Sequence, residues 1–295
     1  MAPTFQLFLP QMRMSHEAIV ERARTAEAVG FEGISFMDHL APPLAFEQDM
    51  WEAMHIAGWV LAHTTTLQVG HLVLCDAMRH PAVLARQVTS LDHASGGRFE
   101  LGIGWGSVVD EFRVFDIGST EARERVGRLG ESLEIMRALW TGGVVDHAGE
   151  HFTLTGAQQR PVPTRPIPIT VGGVGRKTLA LVRRHADWWN VPIHELHRLD
   201  ELRDQAGDAR ISTQPRIALL ADESEREEVT ATLQRRFGDT VMGTRAVIGT
   251  ADQLAEHFHE QQARGIERFC VWFTDFAPVA TLERFADVIA AVERG

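Results

Sequence analysis

An eight-stranded parallel β/α barrel, the TIM-barrel class with loop insertions, is the fold this sequence predicts. Three observations carry the prediction. Short apolar, β-prone runs alternate with longer segments of helical periodicity along the whole chain. Eight such runs can be placed, and the length, 295 residues, is close to the roughly 250 typical of the barrel. A doubly wound open sheet is the competing arrangement of the same pattern. No fixed-period repeat, low-complexity tract or composition break divides the chain, so residues 1–295 read as one domain.

The elements follow in order. Residues 5–9 form a first strand, and Ser15 is placed to N-cap a helix whose apolar positions Ile19, Ala23 and Ala26 lead to Gly30 as the C′ residue. Residues 31–36 make the second strand, ending on Met37, Asp38 and His39, and a helix over 49–63 leads to a third strand over 67–74. Pro81 suits the first turn of a helix that buries Leu84, Val88 and Leu91 and stops at Gly96 and Gly97. The fourth strand spans 98–103. Between Thr120 and Trp140 the spacing of Val126, Leu129, Leu133 and Met136 predicts the longest helix, ended by Gly142 and Gly143. A small hairpin over 144–154 and a proline-rich connector over 160–166 precede strand five at 167–171. Strands six, seven and eight fall at 187–191, 216–220 and 269–273.

Bulk properties exclude several function classes. A formal net charge of −11 argues against nucleic-acid or anionic-membrane binding, either of which calls for a basic field. No apolar run approaches bilayer length, and the first residues lack the basic and apolar regions of a signal peptide, so the expectation is a cytoplasmic protein. Cys75 and Cys270, far apart and each in apolar strand-like surroundings, read as reduced core thiols, and no metal site is expected. His194 and His197 lack the spacing of a zinc helix, and His257 and His259 alternate faces of a helix. No GxSxG elbow supports serine hydrolysis.

Two glycine-rich strand ends are the candidate binding loops: residues 99–107, with Gly102, Gly104, Trp105, Gly106 and Ser107, and residues 166–178. Both read as places where backbone approaches a ligand. In the second, Gly172, Gly173, Val174 and Gly175 precede Arg176 and Lys177, the only lysine of the chain, and then a helical pattern. Unpaired N–H groups and the positive end of the helix dipole suit an anion there, and two cations at a helix start, otherwise unfavourable, fit a bound phosphate. Neither stretch is a P-loop or a GxGxxG fingerprint.

Taken with 30–39, 79–83, 91–98, 101–106 and 247–250, these segments resemble the luciferase-like monooxygenase family of flavin and deazaflavin enzymes over almost the whole chain. The resemblance implies a TIM barrel that binds coenzyme F420 (the 5-deazaflavin) or FMN at the C-terminal face, acts on a small-molecule substrate and forms a homodimer. It places the cofactor phosphate at Gly172, Gly173 and Gly175, puts Gly104, Trp105 and Gly106 on the cofactor's other side, and implies a non-prolyl cis peptide at Leu72–Val73 beneath the ring. His39 becomes the proton-handling residue, since imidazole titrates near neutrality, with Asp38 as its orienting carboxylate although adjacent strand residues face opposite ways. His71 and Arg79 are within possible reach of ring or tail. Arg79, Arg160, Arg165 and Arg176 incline the reading toward coenzyme F420, with hydride transfer, over reduced FMN with oxygen-dependent monooxygenation. One departure matters: deazaflavin sugar-phosphate dehydrogenases of the family carry a glutamate where this chain has Ser107, and a hydroxyl is no general acid at neutral pH. That substitution keeps a non-catalytic flavin-binding protein in view. Asp110 and Glu111, a little further on, could compensate for it but read first as solvated loop charges, and substrate choice is assigned to the loops 41–46, 108–117 and 237–245.

Overall fold

The computed structural model describes residues 2–43, 45–238 and 245–295. Its order is β1 (Thr4–Phe8), α1 (His16–Ala28), β2 (Gly33–Phe36), α2 (Ala53–His63), β3 (Gln68–His71), β4 (Leu74–Cys75), α3 (Pro81–Ser95), β5 (Leu101–Gly104), α4 (Val109–Phe115) and α5 (Ala122–Trp140). Then come β6 (Val145–Ala148), β7 (Thr153–Ala157), β8 (Ile169–Gly172), α6 (Arg176–His185), β9 (Trp188–Val191), α7 (Leu199–Ala206), β10 (Arg210–Thr213) and β11 (Arg216–Leu219). The last are α8 (Arg226–Phe237), β12 (Ala246–Gly249), α9 (Ala251–Ala263), β13 (Arg268–Phe273) and α10 (Val279–Arg294).

Parallel pairing runs β3-β2-β1-β13-β10-β9-β8-β5-β4. Because β3 and β4 are two halves of one barrel strand and Val69 bridges to Phe99, the path returns on itself and the sheet is a barrel. Leu7, Ile34, Val69, Leu101, Ile169, Trp189 and Val271 are buried along the strands, and Ile19, Val60, Val88, Leu133, Val182, Phe258 and Phe285 pack the surrounding helices onto them. Strands covered on both faces are expected of a parallel sheet. β6 and β7 form the separate antiparallel hairpin that the sequence predicts.

Strand seven corrects the sequence reading. Residues 210–213, not 216–220, sit between β9 and the lower half of β13, while β11 pairs with the upper half of β13 through Trp272 and Phe273 and carries β12 on its outer edge. Pro215 lies between the two segments and lacks an N–H for a continuous ladder. Its carbonyl accepts from Trp272 N–H at 2.9 Å. Residues 109–115, read as loop, form the short helix α4.

Helix caps explain several boundaries. Ser15 caps α1 through Ala18 N–H, and Pro81 opens α3. Gly96 closes α3 in the left-handed conformation at φ +67°, which glycine adopts without steric cost. Glu27 on α1 holds the turn into β3: its Oε1 accepts from the N–H groups of Thr65 at 2.9 Å, Thr66 at 2.5 Å and Leu67 at 2.8 Å. Partial burial works to raise its pKa, but these donors outweigh it and pull the carboxyl from 4.5 to about 2. A carboxylate whose folded pKa is depressed stabilises the protein above the unfolded value and loses that contribution as pH falls through the folded one. Glu27→Gln is therefore expected to cost about 1–3 kcal/mol at pH 7, with the gap to wild type closing between pH 4.5 and about 2. Denaturant midpoints of both proteins measured down this range check it, and a gap independent of pH refutes the assignment.

Candidate active site

A cavity of about 530 Å³ opens at the C-terminal ends of the strands, within the size range of small-molecule sites. Its wall includes Met37, Asp38 and His39 after β2, residues 72–75, residues 104–107, Glu111 of α4, residues 172–175, Asn190 and Arg216.

His39 is fixed by a residue the sequence reading left in solvent. Glu111 Oε2 lies 2.8 Å from His39 Nδ1, and Glu111 Oε1 accepts from Leu40 N–H at 2.7 Å and Ala41 N–H at 3.4 Å. Glu111 is only 4% exposed. Burial alone raises the pKa of such a group, yet the hydrogen bond and charge of His39, with the two backbone donors, hold Glu111 below the usual carboxylate range. An ionised Glu111 accepts a hydrogen bond from Nδ1–H, so the tautomer it selects leaves Nε2 as the ring's second functional atom. No local pattern in the sequence marked it, since of the two phenylalanines that follow only Phe112 is buried and Phe115 is 46% exposed. Phe112 is buried against Gly106, and its neighbour Glu111 is carried inward with it.

Asp38 is therefore not the orienting partner of His39. Its Oδ2 accepts from Cys75 N–H at 2.8 Å, and Arg79 engages it with both Nη atoms at 2.5 and 3.0 Å. Arg79 also reaches Glu52 at 2.6 Å. Adjacent residues at a strand end diverge, and this one turns to the segment that follows β3. Asp38 thus ties the end of β2 to Cys75, fixing the stretch that includes the cis Leu72–Val73 bond. Arg79 has its guanidinium committed to that clamp and does not line the cavity. His71, too, points away: its Nε2 contacts the Ala53 carbonyl at 3.0 Å, and burial pushes its pKa down to about 4.

The first glycine stretch serves the protein's own packing as well as the cavity. A Cβ on Gly102 would fall 1.8 Å from His71 O, and one on Gly104 would fall 2.8 Å from Val73 Cγ2. β5 thus lies hard against the third barrel strand because it lacks side chains there. Gly106 turns at φ +82° against Phe112 and Cys75. Trp105 and Ser107 follow on the rim, and Gly104, Trp105, Gly106 and Ser107 all line the cavity.

The second stretch presents backbone. Gly172, Gly173, Val174 and Gly175 line the cavity, and a Cβ on Gly172 would meet only Asn190, at 3.8 Å or beyond. α6 starts at Arg176 with Gly175 as N-cap and no side-chain cap, which leaves its first-turn N–H groups available to an anion. Arg176 and Lys177 are exposed and absent from the cavity wall. On this helix Thr178, Leu179 and Val182 occupy the buried face, so the two preceding positions point outward. An anion here would be held by backbone, not by the pair of cations expected from the sequence.

Cys75 and Cys270 are both free and buried. Among the described residues no group of His, Cys, Asp and Glu is arranged to hold a metal, and no helix is long and apolar enough to cross a membrane. Of the substrate-shaping loops, Leu44 and residues 239–244 lie outside the described residues.

Comparison with known proteins identifies the family. The family model described as luciferase-like monooxygenase matches residues 3–221. The F420-dependent glucose-6-phosphate dehydrogenase of Gordonia bronchialis is 33% identical over 162 residues, 53% of this chain and 47% of that protein. Its counterpart from Mycolicibacterium fortuitum is 35% identical over 162 residues with the same coverage. The chain thus spans about half the length of the curated relatives it matches. Among solved structures, an F420-dependent secondary alcohol dehydrogenase in complex with an F420-acetone adduct superposes with a TM-score of 0.82 at 20% identity, covering 99% of both chains. The coenzyme F420 dependent tetrahydromethanopterin reductase from Methanopyrus kandleri gives 0.78 at 16% identity, over 99% of this chain and 98% of that one. At these identities the likeness to solved structures is one of fold.

Proposed function

The chain belongs to the luciferase-like monooxygenase family, and we propose that within it this protein is a coenzyme F420-dependent oxidoreductase of a small organic substrate. The observation that carries the reading is the His39–Glu111 pair at the wall of a cavity whose opposite side is bare backbone. The F420-dependent relatives support the choice of cofactor.

The cavity fits the group. Uncapped N–H groups at the start of α6 and the glycines at 172, 173 and 175 suit its phosphate. Leu72, Val73, Gly104, Trp105 and Gly106 supply apolar and backbone surface for its ring system. When bound, a deazaflavin supplies a two-electron hydride acceptor or donor and reacts sluggishly with oxygen. The protein's part is then proton handling and position. Glu111 keeps the proton on His39 Nδ1. His39 Nε2 takes the hydroxyl proton of a carbinol substrate in oxidation and returns it to the carbonyl oxygen in reduction. Asp38 and Arg79 hold the floor at residues 72–75 in place. Ser107 supplies no carboxylate, so we expect no oxidation of sugar phosphates by a second general acid.

Buried, free Cys75 and Cys270 support a reducing, cytoplasmic setting. A homodimer is supported by α2, whose sequence contains no Asp, Glu, Lys or Arg while Trp59 is 41% exposed.

Titration of the purified protein with coenzyme F420, followed by its fluorescence, and with reduced FMN, followed by oxygen uptake, tests the proposal. The expected result is saturable F420 binding and alcohol-dependent bleaching of the oxidised deazaflavin. Binding of reduced FMN with substrate-dependent oxygen consumption, and no F420 binding, replaces it with monooxygenation. Binding without turnover across an alcohol and ketone panel leaves a non-catalytic flavin-binding protein.

A further inference from the structure

The helix that carries Glu111 to His39 has few attachments of its own. Among the described residues of α4, Glu111 and Phe112 alone are buried, and the N-cap Val108 makes no side-chain hydrogen bond. The ion pair between Arg113 and Asp110 within the helix is exposed. Glu111 is already engaged by His39 and the 40–41 backbone. Holding α4 in place therefore falls to Phe112.

Phe112 packs between a glycine and a cation. A Cβ on Gly106 would fall 2.5 Å from Phe112 Cζ. Arg125, near the start of α5, is 4% exposed, and its guanidinium carbon lies 4.4 Å from the centroid of the Phe112 ring and 5.0 Å from that of Trp105. Neither its Nε nor its Nη1 has a hydrogen-bond partner among the described residues. Buried N–H groups without acceptors are costly, and an aliphatic side chain of similar length fills such a space without stranding them. What the guanidinium adds is attraction to the faces of both rings at once. Trp105 follows β5 on the cavity wall, whereas Phe112 belongs to α4, so one side chain joins the rim to the helix. A locally unfavourable arrangement of this kind is expected where function demands it.

We propose that Arg125 is a positioning residue of the proton-handling pair: held between Trp105 and Phe112, it keeps α4 against the rim and thereby keeps Glu111 on His39. The rate predictions rest on the oxidoreductase reading, and the positioning rests on the geometry alone. Without the cation Phe112 loses its hold, α4 moves off the rim, and the hydrogen bonds that Glu111 accepts are lost with it. The imidazole is then free to take the Nε2–H form it prefers in water, which places the proton on the atom that has to accept one.

Nitrogen-15 NMR of the histidine rings in the cofactor-free protein, at alkaline pH where imidazole is neutral, reads this tautomer directly, with His39 assigned by its loss in His39→Asn. Expected are the Nδ1–H form in the wild type and a shift toward Nε2–H in Arg125→Met, matching Glu111→Ala. Phe112→Leu, which leaves the arginine and removes its ring, should give the same shift and keeps the proposal testable if Arg125→Met does not fold. Arg125→Lys retains a cation and should restore much of the Nδ1–H form. With a deazaflavin and the best alcohol of a panel, Arg125→Met should lower kcat about 10-fold, and add little to the loss in Glu111→Ala because it acts through that residue. A folded Arg125→Met protein that keeps the Nδ1–H form overturns the proposal, even if it is less stable or slower, since the arginine is then structural only. The proposal also fails if Phe112→Leu leaves the tautomer unchanged, or if Arg125→Lys is no closer to wild type than Arg125→Met. Absence of deazaflavin turnover in the wild type removes the oxidoreductase reading and leaves the tautomer to judge Arg125 by itself.

Discussion

His39→Ala is expected to lower kcat by about 10²- to 10⁴-fold, the range for losing a positioned general acid or base, while deazaflavin affinity changes no more than a few-fold. The split follows from the geometry: the surfaces assigned to the cofactor are backbone at 172–175 and 104–106, whereas His39 sits on the far wall with its Nδ1 on Glu111. Glu111→Gln separates orientation from proton transfer. The amide keeps the size of the side chain and can still receive the Leu40 N–H, but it no longer carries the charge that fixes the imidazole tautomer. A decrease of about 10- to 100-fold is expected, smaller than for His39→Ala. The two effects should not add in the double variant, because Glu111 acts through His39. Steady-state rates with the best alcohol of a panel, together with cofactor titrations, provide the numbers. A His39→Ala enzyme within twofold of wild-type kcat removes His39 from the mechanism.

Much of this arrangement was legible in the sequence, and the parts that were not share a cause. Strand ends such as His39 and the glycine loops follow from local patterns of apolar runs that end in polar or glycine residues, whereas the cis Leu72–Val73 bond was implied by the family resemblance alone. Partnerships across the chain do not. Glu111 meets His39 across 72 positions, and Arg79 reaches Asp38 across 41. Nothing local distinguishes a carboxylate carried inward beside a buried Phe112 from one in solvent. Arg176 and Lys177 were misread for the converse reason, since two cations beside an anion-suited helix start suggest contact until Thr178, Leu179 and Val182 are seen to claim the inward face. Strand seven failed on composition: three of the four residues from Arg210 to Thr213 are polar, with Ser212 and Thr213 buried through hydrogen bonds to barrel carbonyls and Asn190. The more apolar β11 next to it took the assignment. Polar residues inside a barrel break the hydrophobic signal that locates strands.

The same polarity inside the barrel yields the largest expected loss of stability. At the N-terminal end of the strands, Arg268 of β13 donates to Glu100 through Nη1 at 2.8 Å and Nη2 at 3.3 Å, and to Glu32 at 3.1 Å. Its guanidinium carbon lies 3.8 Å from the centroid of the Trp188 ring. Gln6 donates to the same Glu100 carboxylate at 3.1 Å. Arg268 and Glu100 are 4% and 7% exposed, so removing the arginine strands a buried carboxylate with one neutral donor. Arg268→Met is accordingly expected to cost about 3–5 kcal/mol, the penalty for breaking a buried ion pair from one side. The methionine fills much of the volume, which assigns the loss to the orphaned charge and not to a void. Adding Glu100→Leu removes that charge, and the double variant should recover a large part of the loss although it has fewer polar contacts than the single. Denaturant unfolding of the wild type, both single variants and the double variant measures the coupling directly. If the double variant is as unstable as the sum of the singles, the two residues act independently and the ion pair is not what holds that end of the barrel.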